Sequence, residues 1–388
     1  MFDWCAARAL QSPRAEVVPV SVTVGRLPHL LSPSAYFSEA WHEREAQTLF
    51  SAWHLVGATP ELARPGAFLT TSLLGREVQV RNFDGKIAAV SNVCAHRHCL
   101  LRDKRSGCDA RLVCPYHGWE FGADGRTREI PAPRNFVPFD REAATLPLYQ
   151  VALCGQLVFV CLDPEAPGLN EQFGSRFAMV EDRFGAGWRP TLRAEFPVPA
   201  NWKVPIENSL EAYHVPRVHP HTLRDDPGEA RSLYEIEPGH TAFSTTHFRS
   251  KSTIDRTLHR LERVLLRSLQ KEQVGRYFHH HIFPNLLFSF TDTLSLIQCI
   301  VPTGPASSMS VVRQFGPRGG PLGLVMRMWG FFGARVTMRI LSEDRILFPS
   351  IQRGLEASPH AGVLGYAERR IHAFQDYILE TCGGPSEG

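Results

Sequence analysis

A chain of 388 residues, 21% of them charged and with a formal net charge of +3, is long enough for two domains sharing an interface. The near-neutral balance and the lack of a Lys/Arg block give nucleic acid no footing. No apolar run approaches the ~18–20 residues of a membrane span. Met1-Phe2-Asp3-Trp4 is not a basic segment leading into an apolar one, so a cytoplasmic protein is expected. Nine cysteines in this length do not make a disulfide framework, and most read as buried or free thiols in a reducing compartment.

In chain order, residues 33–52 predict an opening helix, with Tyr36, Phe37, Ala40, Trp41, Leu49 and Phe50 as its apolar face. It belongs to an arm, residues 1–49, expected to pack on the second domain. From Trp53 the pattern turns to short alternating runs. Val78-Gln79-Val80 and Ile87-Ala88-Ala89-Val90 flank an Asp84-Gly85 hairpin signal, and Asp124-Gly125 is a second. Gln156 to Leu162 predicts an apolar strand, and Asp163-Pro164-Glu165-Ala166-Pro167-Gly168 ends the run with turn chemistry. Residues 50–165 thus predict a small antiparallel β-domain, and residues 166–388 a second domain of strands and helices, α+β overall. In the latter, 251–272 and 360–380 predict amphipathic helices. Residues 322–341, with Arg327, Arg335 and Arg339 among Met, Phe and Trp, predict a helix packed on the sheet, with membrane-surface contact as the rarer alternative.

The β-domain carries Cys94-Ala-His96 and Cys114-Pro-Tyr-His117, seventeen residues apart. A Rieske [2Fe–2S] centre needs two Cys on one iron and two His on the other, so a loop with one of each reaches both irons. Structural zinc also accepts Cys₂His₂, but zinc spacing usually groups like with like. The interleaved order favours the cluster. With Arg97 after the first pair and Gly118-Trp119 after the second, the chain resembles the Rieske non-haem iron oxygenases, the ring-hydroxylating large subunits. The respiratory type of Rieske protein has an extra, disulfide-forming Cys in each loop. Here Cys99 stands at one such place and Tyr116 at the other, so the resemblance is to the oxygenase type. One departure is His98, where the family commonly has Gly.

Downstream, His214 and His219 lie five apart beside acidic residues and can share one ion if the helix loosens at Pro216. Oxygen chemistry at a mononuclear Fe(II) commonly uses two His and one carboxylate, leaving open positions for O₂. The resemblance points to an acidic pair before a Gln-x-Gly. Ser342-Glu343-Asp344 precedes Gln352-Arg353-Gly354, so Asp344 is the expected third ligand and Glu343 the alternative. Glu211 takes the place of the family's bridging acid, which links a cluster-ligand His (His96 or His117) of one subunit to an iron-ligand His of the next. That arrangement implies a head-to-tail homotrimer. Glu rather than Asp resembles the branch of choline, betaine and carnitine oxygenases.

The resemblance further implies a helix-grip-like catalytic domain holding Fe(II) after the Rieske domain. Electrons would come from a separate NAD(P)H reductase, with or without a ferredoxin; no Gly-x-Gly-x-x-Gly follows a predicted strand here. Monooxygenation of a largely apolar molecule, by hydroxylation or oxidative demethylation, is favoured over cis-dihydroxylation of an aromatic. An electron-transfer protein with the cluster alone and a zinc-bound regulatory protein are the other classes. Candidate substrate contacts are Phe243, Phe248, Tyr277, His279, His281 and Phe290. On a strand, His279 and His281 share a face and His280 does not.

Overall fold

The computed structural model describes residues 25–140, 142–223, 231–246, 253–269 and 273–383. A short 3-10 turn, Pro33–Tyr36, precedes the opening helix Glu39–Phe50, so the single helix expected over 33–52 is two elements. Glu45 on that helix is buried, and its carboxylate accepts hydrogen bonds from Lys203 Nζ and, at 2.6 Å, Trp202 Nε1. A buried charge needs such a partner, and this one ties the opening helix to the start of helix Lys203–Ser209; the opening helix also packs against the closing helix Arg369–Cys382. The latter begins nine residues later than expected from 360.

The first sheet is antiparallel and seven-stranded. From one edge it runs His54–Ala58, Leu157–Cys161, Leu148–Cys154, Lys86–Ser91, Arg76–Phe83, Ala67–Leu73 and Ser106–Cys108. Asp84 and Gly85, with φ of 50° and 99°, join Arg76–Phe83 to Lys86–Ser91. Positive φ at both central residues is what a tight two-residue hairpin requires. A three-stranded sheet of Leu112–Val113, Glu120–Phe121 and Thr127–Glu129 stands beside it.

The second sheet is also antiparallel and seven-stranded, ordered Trp188–Val198, Ser307–Pro317, Ser295–Gly304, Leu286–Phe290, Arg276–Ile282, His240–Thr246 and Ser232–Glu237. The long helix Gly323–Arg345 packs across its first two strands. The helix buries Met326, Gly330, Ala334, Thr337 and Asp344, a spacing of three and four residues that keeps them on one stripe. At Gly330 a Cβ would collide with the Thr191 side chain, so glycine sets how closely helix and sheet approach. The opposite face exposes Leu324, Met328 and Phe331. No described helix is long and apolar enough to cross a membrane.

The two sheets share one core. Leu55, Val56, Phe159 and Val160 of the first belong to the same buried cluster as Phe288, Ile297, Val311 and Phe315 of the second. The helix expected over 251–272 is described as Thr253–Ser268. Its Leu265 and Leu266 are buried while Leu261 is about half exposed.

Candidate active site

The two Cys/His loops are built alike. Cys94 N donates to Cys99 O at 2.9 Å, and Cys114 N to Trp119 O at 2.8 Å. His98 N donates to Cys94 O at 3.0 Å, and Gly118 N to Cys114 O at 3.1 Å. His98 thus occupies the turn position that Gly118 holds in the other loop, and both have positive φ, 57° and 75°. That conformation favours Gly, which accounts for the family's preference there. His98 adopts it with an exposed side chain. Both cysteines are buried, while His117 is exposed and His96 half-buried, their rings 4.7 Å apart. Trp119 stacks on His96 at 4.8 Å between centroids. Inner thiols and outer imidazoles match the division a Rieske cluster needs. Tyr116 is 55% exposed under the Arg97 guanidinium, and the six described cysteines other than Cys94 and Cys114 are free thiols.

The second centre forms where helix Lys203–Ser209 stops and a short turn of helix, Val215–Val218, follows. The chain breaks at Leu210 to Ala212, before His214, and not at Pro216, which sits inside the first turn of the short helix. Pro is tolerated there because the N–H it lacks has no intrahelical partner. Glu211 closes the break: its carboxylate accepts from the backbone N–H of Tyr213 and His214 and from His214 Nδ1. On the other histidine, His219 Nδ1 donates to Glu343 Oε2 at 2.9 Å. Glu343 also accepts from Thr222 Oγ1 at 2.6 Å and Arg339 Nε at 3.1 Å. Burial opposes its ionisation, yet these bonds hold its carboxyl below the ordinary carboxylate range.

With each Nδ1 given to a carboxylate, both Nε2 lone pairs turn inward. Asp344 Oδ1 lies 3.0 Å from His219 Nε2 and 3.6 Å from His214 Nε2, and one ligand atom from each residue falls within 4.8 Å of the others. Asp344 Oδ1 is buried without a hydrogen bond, although it lies within ion-pair distance of both rings. Lone pairs facing a carboxylate oxygen repel unless a cation lies between them. The donor set is therefore fitted to an Fe(II) held by two His and a carboxylate. Gln352, of the Gln-x-Gly, supports this region from behind: Asn201 N donates to its Oε1 at 2.8 Å, and its Nε2 donates to Tyr36 O at 3.1 Å.

A cavity of about 450 Å³ opens on His214, His219 and Asp344. Its walls are mostly apolar, with Leu210, Leu287, Trp329, Phe332 and Ile340 among them. Of the expected substrate contacts, Phe243, Tyr277 and His279 line it. His281 and Phe290 do not. His281 donates from Nε2 to Pro284 O at 2.8 Å and packs against Phe283 and Phe374. Phe290 packs against His280, Phe184 and Phe288 in the core behind the strand. Phe248 lies outside the described residues. The sequence reading missed Arg370 and Trp329 as wall residues. Arg370 carried a signal: it is four and eight residues before Phe374 and Ile378, on the buried stripe of the closing helix.

The description "Rieske [2Fe-2S] domain" matches residues 52–150, and "Ring hydroxylating alpha subunit (catalytic domain)" matches residues 185–384. The chain belongs to that family. It is a Rieske non-haem iron oxygenase, the terminal component of its system, with a [2Fe–2S] cluster and a mononuclear iron as cofactors. This oxygenase is 27% identical to the chloroplastic choline monooxygenase of Amaranthus tricolor over 90% of its own length and 77% of that protein's. Its fold is that of a quaternary ammonium Rieske monooxygenase structure (TM-score 0.72, 20% identity, 92% and 99% of the two chains covered). It is also that of naphthalene 1,2-dioxygenase (TM-score 0.71, 18% identity, 91% and 92% covered).

Proposed function

We propose that this oxygenase carries out monooxygenation, by hydroxylation or oxidative demethylation, of a largely apolar small molecule. The observation that carries the reading is the apolar cavity of about 450 Å³ whose floor is the His214, His219 and Asp344 triad. Its mostly apolar walls suit an apolar substrate held against the triad. When bound, the two cofactors supply reducing equivalents and an open-sided ferrous ion for O₂ activation. The chain's own residues do the rest. Glu211 and Glu343 fix the ring orientation of His214 and His219 and keep each Nε2 unprotonated. Phe243, Tyr277 and His279 position the substrate.

Glu211 also serves as the bridging acid between subunits of a head-to-tail homotrimer, joining His214 to His96 or His117 of a neighbour. Exposure of His117 and of Tyr213, at 76%, supports such a meeting of surfaces. A separate NAD(P)H reductase, with or without a ferredoxin, supplies electrons, and the free thiols suit a cytoplasmic setting. The division into an arm (1–49), a Rieske domain (50–165) and a catalytic domain (166–388) belongs to the same reading.

The test is a substrate screen with a surrogate reductase, following O₂ uptake and product by mass spectrometry. One oxygen atom incorporated per product supports monooxygenation; two adjacent hydroxyls from one O₂ would replace it with dihydroxylation. In parallel, Glu211→Gln, loaded with Fe(II) in excess to offset its weaker hold on His214, should carry about three irons per chain yet lose coupled turnover. Normal turnover at unchanged iron content would remove Glu211 from the electron route.

A further inference from the structure

Arg370 is 1% exposed and lines the same cavity as the iron ligands. Its Nε donates to Thr241 Oγ1 at 3.0 Å, and its Nη2 donates to His279 Nδ1 at 3.0 Å. Among the described residues no carboxylate pairs with it. Burial lowers its pKa to about 9, with Tyr277 and Tyr234 acting in the other direction, so it still carries a charge at neutral pH. A buried, unpaired guanidinium is costly, and such charges are normally paired. The bond from Arg370 also fixes the His279 tautomer. Nδ1 accepts, so the ring proton sits on Nε2, and burial and Arg370 keep the ring neutral. Tyr277, on the same wall, shares a hydrogen bond with Ser289 Oγ at 2.9 Å. Among the described residues, the acidic ones on the cavity wall are Glu211 and Asp344, and both belong to the metal site. This part of the wall is rich in donors and positive.

We propose that Arg370 and His279 form a subsite for a carboxylate of the substrate, whose apolar body fills the rest of the cavity. Arginine suits this task because its planar donors match a carboxylate. A bare cation such as choline meets charge of its own sign here, whereas an amphipathic carboxylate, zwitterionic or not, supplies the missing partner. The inference rests on the oxygenase reading of the cavity.

The experiment measures binding of matched probes to the iron-loaded oxygenase: 3-phenylpropanoate and octanoate, their primary amides, and choline. Perturbation of the ferrous-site spectrum reports binding. The expected result is at least tenfold tighter binding of each carboxylate than of its amide, weaker binding still for choline, and collapse of the preference in Arg370→Gln. Equal binding of acid and amide by the wild-type protein, or no binding of either carboxylate, overturns the subsite. So does a preference that survives in a folded Arg370→Gln protein. The wild-type comparison decides alone if that variant does not fold. Iron content separates the two readings. Three irons per chain without a carboxylate preference refute the subsite only, whereas failure to load iron at His214, His219 and Asp344 refutes the oxygenase reading.

Discussion

Glu343 and Asp344 are neighbours on one helix, and the turn of about 100° between successive helical residues gives them different work. Asp344 faces the two Nε2 atoms, and Glu343 reaches round to His219 Nδ1. Asp344→Ala should therefore remove the mononuclear iron and leave the cluster, so that iron falls from about three to about two per chain with the reduced-cluster EPR signal intact. Glu343→Gln should retain the site but weaken its iron affinity ~10–100-fold, the usual loss when a ligand's orienting partner goes. Iron titration checks both; a full iron complement in Asp344→Ala would reassign the ligand. The residue types of this centre were legible in the sequence because chemistry dictates them. The choice of Asp344 over Glu343 came from the resemblance and not from the residues themselves, because it depends on helix rotation against the sheet. Gly330 against Thr191 helps set that rotation.

The strand Arg276–Ile282 shows how one element divides its residues between function and stability. His279 faces the cavity and Arg370. His280 lies on the opposite face, with its ring 5.4 Å from that of His240. His281 shares the face of His279 but lies further along, beneath Phe283 and Phe374. Alternation was legible; where the cavity ends along the strand was not, since the closing helix determines it. Burial pushes His281 down to about 3 and His280 to about 3. The folded chain therefore refuses protons that the unfolded chain accepts below its ordinary value of ~6.5. Stability is full above that value and declines as pH falls toward the folded one, by roughly 1.4 kcal/mol per pH unit for each such histidine. His281→Phe should flatten the dependence by about that amount between pH 6 and 5. Urea midpoints across that range check it, and an unchanged slope would mean that His281 is not held neutral.

At the scale of the whole molecule the two sheets are joined by a shared core and by a buried charge network. The core's alternating strands were legible as strands, but not as partners, because contacts across the interface join residues far apart in sequence. Arg313, 1% exposed, is the centre of the network and is 252 residues from Glu61. Its Nε donates to Glu61 Oε1 at 2.7 Å and its Nη2 to Glu195 Oε1 at 2.8 Å. Glu61 also pairs with Arg193 at 2.9 Å, and Glu195 with Arg105, just after the first cluster loop. Burial opposes ionisation of Glu195, and Arg105 and Arg313 overcome it, so its carboxyl stays below the ordinary range. Arg313→Met leaves both carboxylates without their central partner inside the interface. Breaking a buried pair from one side typically costs ~3–5 kcal/mol, and Arg105 and Arg193 should hold the loss near the lower figure. Adding Glu61→Gln and Glu195→Gln to Arg313→Met removes the stranded charges and should recover part of the loss. Chemical denaturation of the single and triple variants measures this. If Arg313→Met costs less than ~1 kcal/mol, as an exposed pair would, the charges do not join the sheets and the shared apolar core alone does.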